Sequence, residues 1–153
     1  MGVDIHIHIC KLDENTNLYS PIKLFKKNDV GGYEEVPVYE ARNYDMFDIL
    51  EGRQDDFPRR NIRKKTLDPS FREEIERDEE WCFSFSEVNL LEMKNYVDKK
   101  PMIISSYYGG EEEEVEIKSP VKDLYEDIVS YIKLYDDGID FLSDYKIIYY
   151  FDC

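Results

Sequence analysis

Val3, Ile5, Ile7 and Ile9 alternate with Asp4, His6, His8 and Cys10 at the start of the chain. A period of two predicts a β-strand, because successive side chains leave a strand on opposite faces. One face is therefore committed to a core. The other lines up a carboxylate, two imidazoles and a thiol. Both histidines of the 153-residue chain are in this row. Residues i, i+2 and i+4 of a strand point the same way, about 7 Å apart at each step. Neighbours in such a row are close enough to share a divalent ion or to hydrogen-bond in a buried network, and both readings stay open.

The remaining pattern predicts a strand at about 18–25, returning from the turn Asp13-Glu-Asn-Thr-Asn17 to make a hairpin. A short strand interrupted by Pro37 is expected in 33–40. Tyr44, Phe47 and Leu50 fall at helical spacing, with Asn43 as cap and Gly52 as stop. Residues 52–66 read as a loop. Asp68-Pro69 begins a helix to about Arg77. Ser84-Phe-Ser-Glu87 has the form of a capping box before a helix from 86 to about 98. Strands follow at 101–106 and along the glutamate-rich stretch to Ile117, with the turn Gly109-Gly110 between them. The longest helix is 120–136, capped by Ser119 and ended by Gly138, with Val121, Leu124, Ile128 and Ile132 in one stripe. Tyr145 to Asp152 is an apolar run suited to the centre of a sheet, beside the first strand. These elements predict a single α+β domain over 1–153: a mainly antiparallel or mixed sheet with three to four helices packed on it.

The net charge of −15 opposes binding to nucleic-acid backbones or anionic membranes. Three scattered cysteines, Cys10, Cys82 and Cys153, make neither a disulfide framework nor a zinc knuckle. Reduced thiols and the lack of a signal-peptide pattern or long apolar run predict a cytoplasmic protein. A homo-oligomer is compatible with the composition.

The opening Gly2-Val-Asp-Ile-His6 resembles a family of small phage and bacterial proteins that begin Met-Gly-(Cys or Val)-Asp-Ile-His. The similarity continues in Arg42-Asn-Tyr-Asp-Met-Phe47 with Leu50 and Gly52, and more loosely in Pro58-Arg59 and Asp68-Pro-Ser70. It returns in the serine- and aromatic-rich stretch before Glu87 and in Ile148-Tyr-Tyr-Phe-Asp152. The resemblance implies a phage or mobile-element origin, in the host cytoplasm, rather than a particular activity. Members tend to carry an acidic residue near position 10, where this chain has Cys10. They also tend to carry a histidine where it has Glu79-Glu80-Trp81.

Three chemistries follow. Asp4, His6 and His8, with Asp152 if the two strands are neighbours, are candidate ligands for zinc or manganese in a metal-dependent hydrolase or phosphodiesterase. Arg53, Arg59, Arg60, Arg63, Lys64 and Lys65 are opposed only by Asp55 and Asp56. Arginine forks suit phosphate oxygens, so Arg53, Arg59, Arg60 and Arg63 with Arg42, Asn43 and Tyr44 are candidate contacts to an anion. Asp4, His6 and His8 would form the opposite wall. Together with the phage origin that the resemblance implies, this basic segment makes the leading expectation a phage-type counter-defence protein that sequesters a small anionic, nucleotide-derived ligand. The acidic runs around Asp78, Glu111–Glu114 and Asp136 support a third reading, an interaction protein that blocks a basic host partner.

Overall fold

The computed structural model describes residues 3–39, 44–52, 56–99, 102–108, 111–117, 120–136 and 142–152. The fold is α+β, with a five-stranded antiparallel sheet. Its strands are β1 (Asp4–Asp13), β2 (Leu18–Pro21), β5 (Arg60–Asn61), β6 (Phe83–Asn89) and β9 (Tyr145–Asp152), in the order β2-β1-β9-β6-β5. Two separate ribbons pair β3 (Phe25–Lys27) with β4 (Tyr33–Glu35), and β7 (Met102–Tyr108) with β8 (Glu111–Ile117). The helices are α1 (Tyr44–Leu50), α2 (Pro69–Asp78), α3 (Leu90–Lys99) and α4 (Pro120–Tyr135).

The two periodicities of the sequence account for the layers. Apolar stripes on α1, α3 and α4 pack on one sheet face, with Leu50, Met93, Leu124 and Ile128 against Ile9, Ile147, Tyr149 and Phe151. The opposite face is covered by α2, whose Phe71 and Ile75 pack with Leu67 on Cys10, Ile148 and Tyr150. With helices on both sides, the central strand must be apolar on both faces, and β9 is buried from Tyr145 to Phe151. It lies beside β1, as expected of the apolar run at 145–152, and the register sets Asp4 opposite Asp152 and His6 opposite Tyr150.

α2 starts as its sequence dictates. The Asp68 carboxylate accepts from the backbone N–H groups of Ser70 and Phe71, and Pro69 fills the first turn.

The capping-box expectation is corrected. Ser84 to Glu87 lie in β6, and the helix begins only at Leu90. Asn89 supplies the local bond at its start, its Oδ1 accepting from Leu91 N–H at 2.9 Å. Ser84 has φ 57°, a left-handed conformation that continues neither strand nor helix. It marks a β-bulge: Phe83 lies opposite Phe151, yet Ser86 lies opposite Tyr149. The bulge reverses side-chain parity along β6. Cys82 and Glu87, an odd number of residues apart, therefore both belong to the α2 side of the sheet, where Cys82 packs with the smaller core and Glu87 meets Lys146.

No helix among the described residues is long and apolar enough to cross a membrane.

Candidate metal centre

The polar face of β1 divides into three local environments. At its start His6 Nε2 lies 2.6 Å from Asp152 Oδ2 across the strand pair. Both side chains are partly exposed, at 40% and 35%. The His6 ring stacks on Tyr150 at 5.1 Å with a 12° interplanar angle, and Phe85 stacks on Tyr150 at 4.4 Å. Tyr150 is thus the middle ring of a stack that crosses β1, β9 and β6.

Cys82 completes this end of the face. After α2, the Cys82 N–H donates to the Asp78 carbonyl at 3.0 Å, closing the turn that delivers the chain into β6. The result is a cluster of His6, Cys82 and Asp152 whose ligand atoms all lie within 4.8 Å of one another. Zinc sits about 2.0–2.3 Å from such ligands. An ion entering here would replace the hydrogen bond between His6 and Asp152. Burial raises the thiol pKa of Cys82, and the carboxylates of Asp152 and Asp78 raise it further. A cysteine nucleophile needs the opposite shift. A metal supplies it, because coordination deprotonates a thiol directly.

His8 is held in a hydrogen-bonded network, one of the two roles that its spacing leaves open. Its Nε2 lies 2.8 Å from the Tyr150 hydroxyl, which donates in turn to Asp78 Oδ2 at 2.5 Å. With Tyr150 donating to Asp78, His8 Nε2 carries a proton and donates to the tyrosine. Phe71 packs edge-on against the ring. Burial is the main reason the His8 imidazole falls from 6.5 to about 4; Lys23 and His6 lower it further and Asp78 opposes them. The unfolded chain therefore binds a proton that the folded chain refuses between those two values. Stability contributed by neutral His8 is fully present above the unfolded value and is lost as pH falls from 6.5 to about 4. In urea titrations with chelator present, His8→Gln is expected to flatten this part of the stability–pH curve by about 2–3 kcal/mol. An unchanged slope would show that His8 is not held neutral.

Cys10, further along the same face, is fully buried beside Lys146, and desolvation drives its thiol pKa strongly upward. It lies about 13 Å along the strand from His6. The third environment is centred there. Lys146 Nζ lies 3.2 Å from each Glu87 carboxylate oxygen and 2.8 Å from Thr66 Oγ1, and it sits 4.3 Å from the centre of the Tyr19 ring. The Arg63 backbone N–H donates to Glu87 at 2.7 Å, and its guanidinium reaches the same carboxylate at 3.2 Å.

Four residues of the basic segment are engaged by the protein's own groups. Arg59 Nε donates to Ser86 Oγ at 3.0 Å, Arg60 pairs with Glu92, Arg63 with Glu87 and Lys64 with Glu79. β9 and β6 separate β5, which carries Arg60, from β1. Arg42, Asn43 and Arg53 lie outside the described residues, and Tyr44 is described only as the first residue of α1. An open polar cleft of about 540 Å³ is lined by residues including Lys11, Asp13, Tyr135 and Asp144 at the other end of β1, away from His6.

Of the four residues predicted as metal ligands, the fold brings His6 and Asp152 into contact, sets Asp4 opposite Asp152, and directs His8 Nε2 to Tyr150. Cys82 was not foreseen. Its available signal was the alternation Phe83-Ser-Phe-Ser86, which marks a strand beginning just after it. No family model, curated protein or solved structure matches the chain.

Proposed function

We propose that the chain is a zinc-dependent hydrolase whose metal is held by His6, Cys82 and Asp152. The observation that carries this reading is the convergence of three different ligand types within 4.8 Å at a partly exposed position. Three protein ligands and solvent access leave a fourth position for water, the arrangement of catalytic rather than structural zinc. Zinc held by His6, Cys82 and Asp152 would supply the acidity that activates water as a nucleophile near neutral pH. The thiolate favours zinc over manganese, which prefers all-oxygen surroundings. Tyr150 orients the His6 ring from its face, and the bonds of its hydroxyl to His8 and Asp78 orient Tyr150.

Sequestration of a nucleotide-derived anion in counter-defence is the competing reading. Its support is the resemblance together with the density of arginines, and Arg59, Arg60 and Arg63 each have an internal partner. The metal centre therefore has the stronger geometric support.

The test is hydrolysis of activated esters by protein stripped with chelator and then reloaded. Zinc is expected to restore turnover at one equivalent per chain, and Asp152→Asn to remove it. Equal rates with and without zinc would sink the proposal.

A further inference from the structure

The zinc reading, on which this step rests, requires Cys82 to share a sheet face with His6 and Asp152. That face is the α2 side: Cys10, Ile148 and Tyr150 pack there with Phe71 and Ile75, and His6 and Asp152 have the same parity on β1 and β9. Ser86 is on the other side, because it lies opposite Tyr149, a residue of the larger core. In a regular strand Cys82, four residues before Ser86, would share the face of Ser86 and point away from His6. One extra residue corrects this. Phe83 lies opposite Phe151 and Ser86 opposite Tyr149, so Ser84 and Phe85 together face Tyr150. Phe85 stacks on the Tyr150 ring, and Ser84 takes the left-handed φ of 57°. One residue back from Phe83, Cys82 comes level with Asp152, in keeping with ligand atoms within 4.8 Å of one another.

A left-handed serine relaxes to extended backbone unless its surroundings hold it. The Ser86 hydroxyl donates to the Ser84 carbonyl at 3.3 Å and accepts from Arg59 Nε at 3.0 Å. Ser86 is fully buried, so water does not stand in for either bond. The arginine is itself closely seated. A Cβ at Gly52 would stand 3.2 Å from Arg59 Cδ, so the glycine gives the arginine stem room to pass. Arg59 Nε meets Ser86 on the α1 side, with the sheet between it and His6. Its influence on the centre therefore runs through β6.

We infer that the bulge at Ser84 assigns Cys82 to the metal face, and that Arg59, acting through Ser86, is the positioning residue that keeps the bulge in place. Arg59 then serves the centre from the far side of the sheet rather than as a contact to an anion.

The experiment compares zinc and cobalt(II) binding in variants of the full chain, at a temperature where circular dichroism shows each to be folded. Ser86→Ala and Arg59→Leu are each expected to weaken zinc binding about tenfold, the worth of one hydrogen bond, and to reduce the thiolate-to-cobalt band in step. Ser84→Gly is expected to bind as the parent does, because glycine takes a positive φ readily. The double variant Ser84→Gly with Ser86→Ala is expected to recover the affinity lost in Ser86→Ala, a rescue that a general loss of stability would not show. Deleting Ser84 leaves a regular ladder with the parity unchanged, and is expected to keep the band. Ser84→Val, whose branched side chain disfavours positive φ, is expected to lose it. Parent-like affinity in Ser86→Ala and Ser84→Val, or no rescue by Ser84→Gly, would overturn the inference while leaving the zinc centre standing. A parent that binds neither metal would remove the centre and with it the role of Arg59. In metal-free protein, Overhauser contacts between Cys82 and the α2-side core are expected to vanish in Ser84→Val; their persistence would overturn the role of the bulge whether or not metal binds.

Discussion

Replacing Glu87 by leucine is expected to destabilise the protein by about 3–5 kcal/mol, among the largest effects of any single substitution. Glu87 and Lys146 side chains are each only 2% exposed. Taking both charges out of water is costly, and their mutual attraction offsets that cost only while both are present. Removing Glu87 leaves Lys146 with Thr66 Oγ1 and the face of Tyr19, neither of which carries a charge. Desolvation already lowers the Lys146 pKa, with Glu87 opposing the shift. Without that carboxylate the pKa of the amine is expected to fall further. The double variant Glu87→Leu with Lys146→Met removes both charges and is expected to recover most of the loss. Its residual cost is the Arg63 backbone N–H, which loses its acceptor, worth about 1–3 kcal/mol. Urea unfolding of the two single variants and the double variant measures the coupling. Singles that each cost under about 1 kcal/mol, with no coupling, would mean the pair is solvated rather than buried.

This pair also shows where sequence reasoning reaches its limit. β1, α4 and β9 follow from periodicity, because burial on one or both faces leaves an alternating, helical or continuous apolar pattern. Lys146 interrupts such a run, and its position there is a signal that a buried partner is needed. Nothing local says that the partner is Glu87. The arginine-rich segment is conspicuous by count, but its partners Glu79, Glu87 and Glu92 come from the C-cap of α2, from β6 and from α3 and meet it only in three dimensions. β6 is mistaken for a helix start because Ser84 and Glu87 have the spacing of a capping box. The strand prevails because it pairs with β9 and buries Glu87 against Lys146. Cys82 joins the His6 end of the sheet through the turn after α2. Its place there depends on the Ser84 bulge, a backbone feature that a serine does not announce as a glycine would.

The second large effect concerns the ligands. His6→Ala, Cys82→Ser and Asp152→Asn are each expected to weaken zinc binding by more than the roughly 10–100-fold lost when an outer-shell partner is removed. His8→Gln, which alters only the support of Tyr150, is expected to fall inside that range. The contrast separates this centre from the arrangement that the Asp4-His6-His8 row alone suggests, in which His8 would be as indispensable as His6. Competition titration with a fluorescent zinc chelator ranks the four variants, and the exposed Trp81 gives an independent optical signal. Equal losses for His8→Gln and Cys82→Ser would return the site to the strand row.

The most direct measurement is a cobalt(II) titration of the chelator-treated protein followed by absorption. Cobalt takes zinc's place in such sites, and a thiolate ligand adds a sulfur-to-metal charge-transfer band. A band that saturates at one equivalent, persists in Cys10→Ser and vanishes in Cys82→Ser and His6→Ala is the expected result. No band in the parent protein, or one that survives Cys82→Ser, would contradict a metal centre built from His6, Cys82 and Asp152.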